Sequence, residues 1–524
     1  MSLPAAIGTT TIEIEGLGTV KGNVYPGGIR QFCGIPYGYL KKRWTRSVLK
    51  TSWEDKGNFH DGTHLGATAP NPAEFRGDAM TVPVEHRFPV PEESEKDCLV
   101  INIVLPPENH EPAGPYPILL FIHGGSFLFG GANRPAYDMV NLVTHSVNTN
   151  SPVIAVTFNY RVGLLGFLAS KAIGEDLKKD GFEGNGNFGL TDQQLAIKWV
   201  ETYISQVGGD KDNVTLYGES AGGMSVDHQI HAAHPANFQR AILMSGMIET
   251  IPTWTLERHE VMYRSLARAF KIDPDAPDAL EKLRELPDLA VAEAAPKIAG
   301  EVNTTGCPCA DGWFHAKAPK WTDIGDQPSF LKSYMVGDVY VEGIVMRGNI
   351  DGKTYDDLHA CLAKWIGEEN TTIILADYGI HPTTEPADVS RLFEDLSGDA
   401  MFKVPNWLYA HRSTIPKTYG YHFDQSSTLD NELAKKIATA FIDFAYGRDP
   451  WEPFPIGHKW MIFGDKSGES DLAVVKGEEE DEELRKYTRM KKHVELLGDE
   501  LYGQMVFGID DFGQKRHLLD TFED

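Results

Sequence analysis

The chain has 524 residues, 41% hydrophobic and 24% charged, and its 51 glycines and 31 prolines are too few for a low-complexity chain. Lys and Arg number 49 against 75 Asp and Glu, a formal net charge of −26, which repels phosphate backbones and anionic lipid and argues against nucleic-acid or membrane partners. Five cysteines are too sparse for a disulfide scaffold and predict thiols, a reducing compartment and a cytoplasmic location.

Residues 1–24 carry no basic segment followed by an apolar run, so no secretion signal is expected. Nor is a membrane span expected, because the apolar stretch 153–169 is broken by Asn159, Arg161 and two glycines. Short apolar runs at 117–122, 153–158 and 214–217 read as buried strands, the first running into His123-Gly124-Gly125 and the last into Gly218. Between the second and third lies a helix pattern: Thr191 and Gln194 as a start signal, Leu195, Ala196, Trp199, Val200, Tyr203, Ile204 and Val207 as a stripe, and Gly208-Gly209 as a stop. Runs at 241–244, 371–375 and 419–423 supply further strands. The alternation predicts an α/β fold, a mostly parallel central sheet flanked by helices, with residues 1–524 as a single domain.

Residues 254–298 have helical spacing, prolines and no strand, and are expected as a helical insertion that roofs an active site. The acids 478–483, followed by Arg485, Lys486, Arg489, Lys491 and Lys492, predict one solvated, internally paired helix. Cys307 and Cys309 stand alone as a close pair, so no metal site is expected, and no Walker-type loop calls for a nucleotide or other cofactor.

Gly218-Glu219-Ser220-Ala221-Gly222 fits a nucleophile elbow, in which serine sits on a strained strand-to-helix turn between small residues. Upstream, His123-Gly124-Gly125 ends another strand. The N–H groups of Gly124, Gly125 and Ala221 are expected to face a developing oxyanion, with His123 structural rather than a base.

These motifs, with Phe32-Cys33-Gly34-Ile35-Pro36-Tyr37, Asp97-Cys98-Leu99 and Asn102, Asn159-Tyr160-Arg161, Gly166-Phe167-Leu168, and Asn187, Gly189, Leu190, Asp192 and Gln193 before Gly208-Gly209-Asp210, resemble the carboxylesterase type B, or cholinesterase-like, family of α/β-hydrolases, most of all its fungal members. The resemblance implies an α/β-hydrolase fold and a serine hydrolase that cleaves a small carboxylic ester through an acyl-serine intermediate. It implies Ser220 as nucleophile, Gly124, Gly125 and Ala221 as oxyanion donors, and Glu342 of Val341-Glu342-Gly343 as the triad acid. It also implies that Cys98 is a free thiol, since residues 65–74 hold no upstream cysteine to pair with it.

The family places its histidine on a loop after the strand that residues 419–423 resemble. Here Asp424-Gln425-Ser426-Ser427-Thr428 leads almost directly into a helix pattern over 431–446, and no histidine occupies that interval. His359, His381, His411, His422, His458, His493 and His517 remain as substitutes, with His422 read as a strand residue and His411 as a helix residue. Three other readings stay open: a non-hydrolytic elimination or cyclisation in an esterase pocket, a catalytically silent binding protein on this fold, or a natural chain with an additional histidine-bearing segment. Phe127, Trp313 and Phe314 are expected as apolar pocket walls from their places beside the motifs.

Overall fold

The computed structural model describes residues 4–54, 57–78, 91–110, 114–302, 304–323, 328–425, 431–465 and 472–514. The chain opens with the antiparallel strands β1 (Gly8–Ile14), β2 (Gly18–Val24) and β3 (Arg30–Pro36). A separate ribbon pairs β4 (Gly38–Tyr39) with β5 (Val48–Leu49), β6 (Phe59–Asp61) pairs with β2, and β7 (Val100–Leu105) links β3 to the main sheet.

Seven strands then run parallel: β8 (Tyr116–Ile122), β9 (Ile154–Phe158), β10 (Gly209–Glu219), β11 (Arg240–Met244), β12 (Ser333–Val339), β13 (Thr418–Phe423) and β14 (Lys459–Phe463). The last strand, β15 (Ala473–Gly477), closes the edge antiparallel to β14. The order is β1-β2-β3-β7-β9-β8-β10-β11-β12-β13-β14-β15. Helices cover both faces of the parallel part, so β8 and β9 are buried along nearly their whole length and read as unbroken apolar runs. This is the α/β-hydrolase arrangement expected from the sequence, and the strands predicted at 117–122, 153–158, 214–217, 241–244 and 419–423 are all present.

Three local expectations are corrected. Residues 371–375 belong to the helix Glu368–Asp377, where the hydroxyls of Thr371 and Thr372 donate to the carbonyls of Gly367 and Glu368; the β-branched run is absorbed into helix by its packing, and β12 takes the strand place. The helix around Thr191 starts earlier, as Phe188–Tyr203, behind Asn187 at φ 59°, whose side-chain amide is tied to both backbone groups of Cys309 at 2.8 Å. Gly208, at φ 92°, ends that segment as expected. The charge run is not one solvated helix: Lys486, at φ 57°, breaks it into Glu478–Arg485 and Tyr487–Gln514, and Arg485 and Asp481 are buried.

Residues 254–298 hold the helices Leu256–Ala269, Ala279–Arg284 and Asp288–Glu293 and the first half of Ala295–Val302. Their apolar faces (Met262, Leu266, Leu283, Val291) pack with Leu164, Leu165 and Ile173 of the segment after β9. That segment is anchored by Arg161, whose Nε and Nη2 grip Asp192 at 2.7 and 2.8 Å, while Nη2 also donates to the Thr45 carbonyl and Ser47 to Asp192. Both charged side chains are fully buried, and Asp192 holds the Arg161 pKa above its ordinary value against the cost of burial.

Removing one partner of such a pair strands the other charge, so Asp192→Ala is expected to lower stability by about 3–5 kcal/mol, read as a shift in the urea midpoint. All five cysteines are free thiols, Cys98 among them. Thiol titration of the denatured chain is therefore expected to find five equivalents, with a melting temperature indifferent to reductant.

Candidate active site

Strand register brings the motifs to one edge. Gly218 of β10 lies level with Ile122 of β8 and Leu243 of β11, Leu243 with Val336 of β12, and Val336 with Gly420 of β13. The residues that follow, His123-Gly124, Glu219-Ser220, Met244-Ser245 and the segment from Gly337, therefore emerge side by side at the carboxyl ends of the parallel strands, where open α/β sheets place their ligand sites.

Ser220 stands between β10 and the helix Ala221–Ile230 at φ 56°, ψ −126°, a conformation that non-glycine residues rarely adopt. Its N–H is held by the Met244 carbonyl at 2.8 Å, and its carbonyl accepts from Met224 at 2.9 Å. The turn closes only because the helix starts against β8: a Cβ on Gly222 would fall 2.1 Å from the Ile122 carbonyl oxygen. Gly124 is as tight, since its Cβ would fall 2.5 Å from the Glu219 carbonyl oxygen and 3.2 Å from the Ser220 Cβ. The oxyanion-loop motif thus touches the elbow directly. Among the described residues, none of the N–H groups of Gly124, Gly125 and Ala221 has a protein acceptor.

His123 is structural, as expected. Its Nδ1–H donates to the Gly124 carbonyl at 2.9 Å, its ring stacks on Tyr160 at 4.3 Å, and burial pushes its pKa down to about 3.

Glu342 opens a short turn, Glu342–Met346, just after β12, and is 4% exposed. It accepts from the Val339 N–H at 2.8 Å and from the Ser245 side chain. Burial, helped by the neighbouring Asp338 charge, pushes its pKa up to about 8. Ser245, at φ 51° with its N–H on the Gly337 carbonyl at 2.8 Å, connects the elbow to the Glu342 arm.

The downstream histidines are engaged elsewhere. His422 sits on β13 with Nδ1 on Asp338 and Nε2 on the Tyr487 hydroxyl, both at 2.8 Å, as a strand residue. His411, in the helix Val404–Arg412, bonds Glu478 at 2.6 Å and stacks on His458. His493 bonds Asp377, His359 bonds Thr372, and the backbone N–H of His381 donates to the Thr384 hydroxyl. His517 lies outside the described residues, as do residues 426–430, on which the expectation of a missing histidine loop falls.

Phe127 and Phe314 are core residues rather than pocket walls, Phe127 packing on Phe167 at 4.9 Å, and Trp313 lies under the Arg46 guanidinium at 3.2 Å. The exposed apolar side chains beside Glu342 are instead Val341, Ile344 and Val345. Sequence reading also missed Glu219 as more than a spacer. Its Oε2 would lie 2.9 Å from a Cβ on Gly124. Its place inside the elbow motif was the available signal.

Residues 8–481 match the family described as the Carboxylesterase family. The chain is 28% identical over 473 residues to lipase 3 of Yarrowia lipolytica (strain CLIB 122 / E 150), covering 83% of this chain and 88% of the lipase. It is 30% identical over 325 residues to the inactive carboxylesterase-like protein VdtD of Byssochlamys spectabilis, covering 58% of this chain and 50% of that protein. Among solved structures, a PNB esterase superposes with a TM-score of 0.69 at 24% identity over 92% of this chain and 99% of its own, a likeness of fold.

The raised Glu342 pKa has a definite consequence for stability. Between the ordinary carboxyl value of 4.5 and about 8 the folded chain holds a proton that the unfolded chain releases, so this carboxyl's contribution to stability falls as pH rises through that window. Urea midpoints measured across it are expected to decline less steeply in Glu342→Gln.

Proposed function

The chain belongs to the carboxylesterase family, whose chemistry is the hydrolysis of carboxylic esters, and we propose that it cleaves a small-molecule ester at Ser220. In this reading the Ser220 hydroxyl attacks the ester carbonyl and the N–H groups of Gly124, Gly125 and Ala221 receive the oxyanion. Alcohol then leaves, and water releases the acyl group. Glu342 is the triad acid, whose task is to orient an imidazole and stabilise it once protonated. The observation that carries the reading is the elbow: Ser220 at φ 56° against Gly124, beside three N–H groups without protein acceptors among the described residues.

Val341, Ile344 and Val345 suit the apolar part of an ester, being exposed next to Glu342. We read residues 1–524 as one catalytic domain of fungal-like type, supported by a single sheet that takes strands from Gly8 to Gly477. A cytoplasmic location is supported by the five thiols, and no helix among the described residues is long and apolar enough to cross a membrane.

The interval between Gln425 and Asn431 contains no histidine, so the base is the weak member of the relay. A serine site without its base retains about 10³–10⁴-fold enhancement over water from the oxyanion donors and binding. With a short-chain aryl ester, the chain is expected to turn over slowly and to label slowly with a fluorophosphonate, and Ser220→Ala is expected to remove both. Inserting a histidine-bearing loop between Gln425 and Asn431 is expected to raise kcat by orders of magnitude, with Glu342→Gln reversing part of the gain. A kcat already in the ordinary range of about 1–10³ s⁻¹, abolished by replacing His422 or His411, would show that one of those histidines serves as base. Ester turnover that survives Ser220→Ala would sink the reading.

A further inference from the structure

The turn that follows β11 carries a carboxyl that takes no part in the relay. Gly246 is pressed against the elbow, since a Cβ there would fall 2.5 Å from the Ser220 carbonyl oxygen. The chain then turns back on itself: the Met247 N–H donates to the Thr250 hydroxyl at 3.2 Å, the Thr250 N–H to the Met247 carbonyl at 3.1 Å, and the Ile248 N–H to the buried Asp227 at 2.8 Å. On its other side the turn is tied to the acid arm. Thr250 Oγ1 donates to the Met401 carbonyl at 3.1 Å, and Gly398, which ends the helix Pro386–Gly398 just before Met401, packs so closely on the Glu342 turn that a Cβ would fall 2.6 Å from the Gly343 nitrogen. Glu249 is therefore held between the elbow and the Glu342 turn, at the carboxyl edge of the sheet where open α/β folds bind their ligands.

Local structure alone would not place a glutamate here. Its backbone lies at φ 66°, in the left-handed region that favours glycine, and such strain in non-glycine residues gathers at ligand sites. Met247, Ile248 and Thr250 are buried, whereas Glu249 is half-buried. Its Oε1 accepts from the Thr253 N–H at 3.2 Å, while its Oε2 has no hydrogen-bond or ion-pair partner among the described residues and keeps accessible surface, so a ligand can reach it. The protein packed round the carboxyl, with a smaller push from Asp323, brings its pKa up to about 7. Of the groups that face it, Asp323 is negative and already paired with Lys317 at 3.1 Å, and the Tyr409 hydroxyl is committed to Asp227. A reachable carboxyl oxygen with no cation of its own, beside a second negative charge, favours a positively charged donor over a neutral one and repels a carboxylate.

We propose that Glu249 is a specificity-determining residue that receives a primary ammonium group of the substrate at its Oε2, so that the ester cleaved at Ser220 carries a protonated amine. The assignment rests on the ester reading, and the test keeps the two apart. Hexylamine, hexanol and hexanoate are titrated against the full-length chain by saturation-transfer NMR at about pH 8.5, where the amine is protonated and the carboxyl ionised, using the unmodified protein, Ser220→Ala, Glu249→Gln and Glu249→Gly. The last of these suits φ 66° better than the native residue, so it keeps the test open where Glu249→Gln fails to fold. Hexylamine is expected to bind the unmodified protein and Ser220→Ala with the same Kd, roughly tenfold more tightly than hexanol, with hexanoate weakest. Each folded Glu249 variant is expected to bring the amine-to-alcohol ratio close to one. Saturating hexylamine is also expected to slow fluorophosphonate labelling of Ser220 in the unmodified protein, an effect lost in the Glu249 variants. An amine preference that persists in a Glu249 variant, or a labelling rate indifferent to bound amine, would overturn the proposal. A chain that takes no label overturns the ester reading instead, and the Kd ratios then decide by themselves whether Glu249 is an ammonium site.

Discussion

The rest of the site depends on one steric constraint, the closeness with which the helix after Ser220 starts against the end of β8. Gly222 rests on the Ile122 carbonyl at a separation that no side chain tolerates, and Gly124 rests in the same way on Glu219. With those two contacts made, the chain between them has little freedom: Ser220 is forced to φ 56°, its N–H is locked to β11, and the loop after β8 lies beside it. The strain is local and is held by a sheet whose strands are buried on both faces. Ser220 and the Gly124 loop are thus set by one packing event.

A second constraint governs the other half of the site. Arg485, fully buried, donates to Asp338 at the end of β12 at 2.7 Å, to the Val339 carbonyl at 3.2 Å and to Asp424 just after β13. These two strand ends launch the Glu342 turn and the segment leading to residues 426–430. Asp338 is shared further with His422 and Asn406, and its pKa stays below the ordinary carboxylate value despite burial because His422 and Arg485 face it. The same Asp338 charge helps raise Glu342, a few residues along the chain, in the opposite direction. Two neighbouring carboxyls thus have opposed environments, one held charged and the other held protonated. Without an imidazolium beside it, the Glu342 carboxyl keeps its proton to about pH 8.

The histidines carry the same lesson. His422 is chemically suited to be a base, but both of its nitrogens are consumed by Asp338 and Tyr487, and its ring stacks on Trp460 at 4.4 Å. His411 is likewise bound to Glu478, a carboxyl whose pKa is pushed down to about 2 by its bonds to His411, Lys491 and Trp407 in spite of burial. Each is a structural residue in a satisfied network, and recruiting either for catalysis would leave buried charge or polar groups without partners.

The sequence by itself determined the parallel strands, the elbow and the oxyanion motif, because each is written in local terms: a short apolar run, a glycine where no side chain fits, a serine between small residues. The resemblance of a short motif also singled out Glu342. It misplaced a strand at Thr371, where β-branched residues fold into helix because the packing there rewards it, and it treated the acid run before Arg485 as a solvated face. Only the tertiary structure decided those cases, since the partners of Arg485 lie 61 and 147 residues away in the chain. Burial and long-range pairing are properties of the assembled sheet, and local sequence spacing carries no record of them.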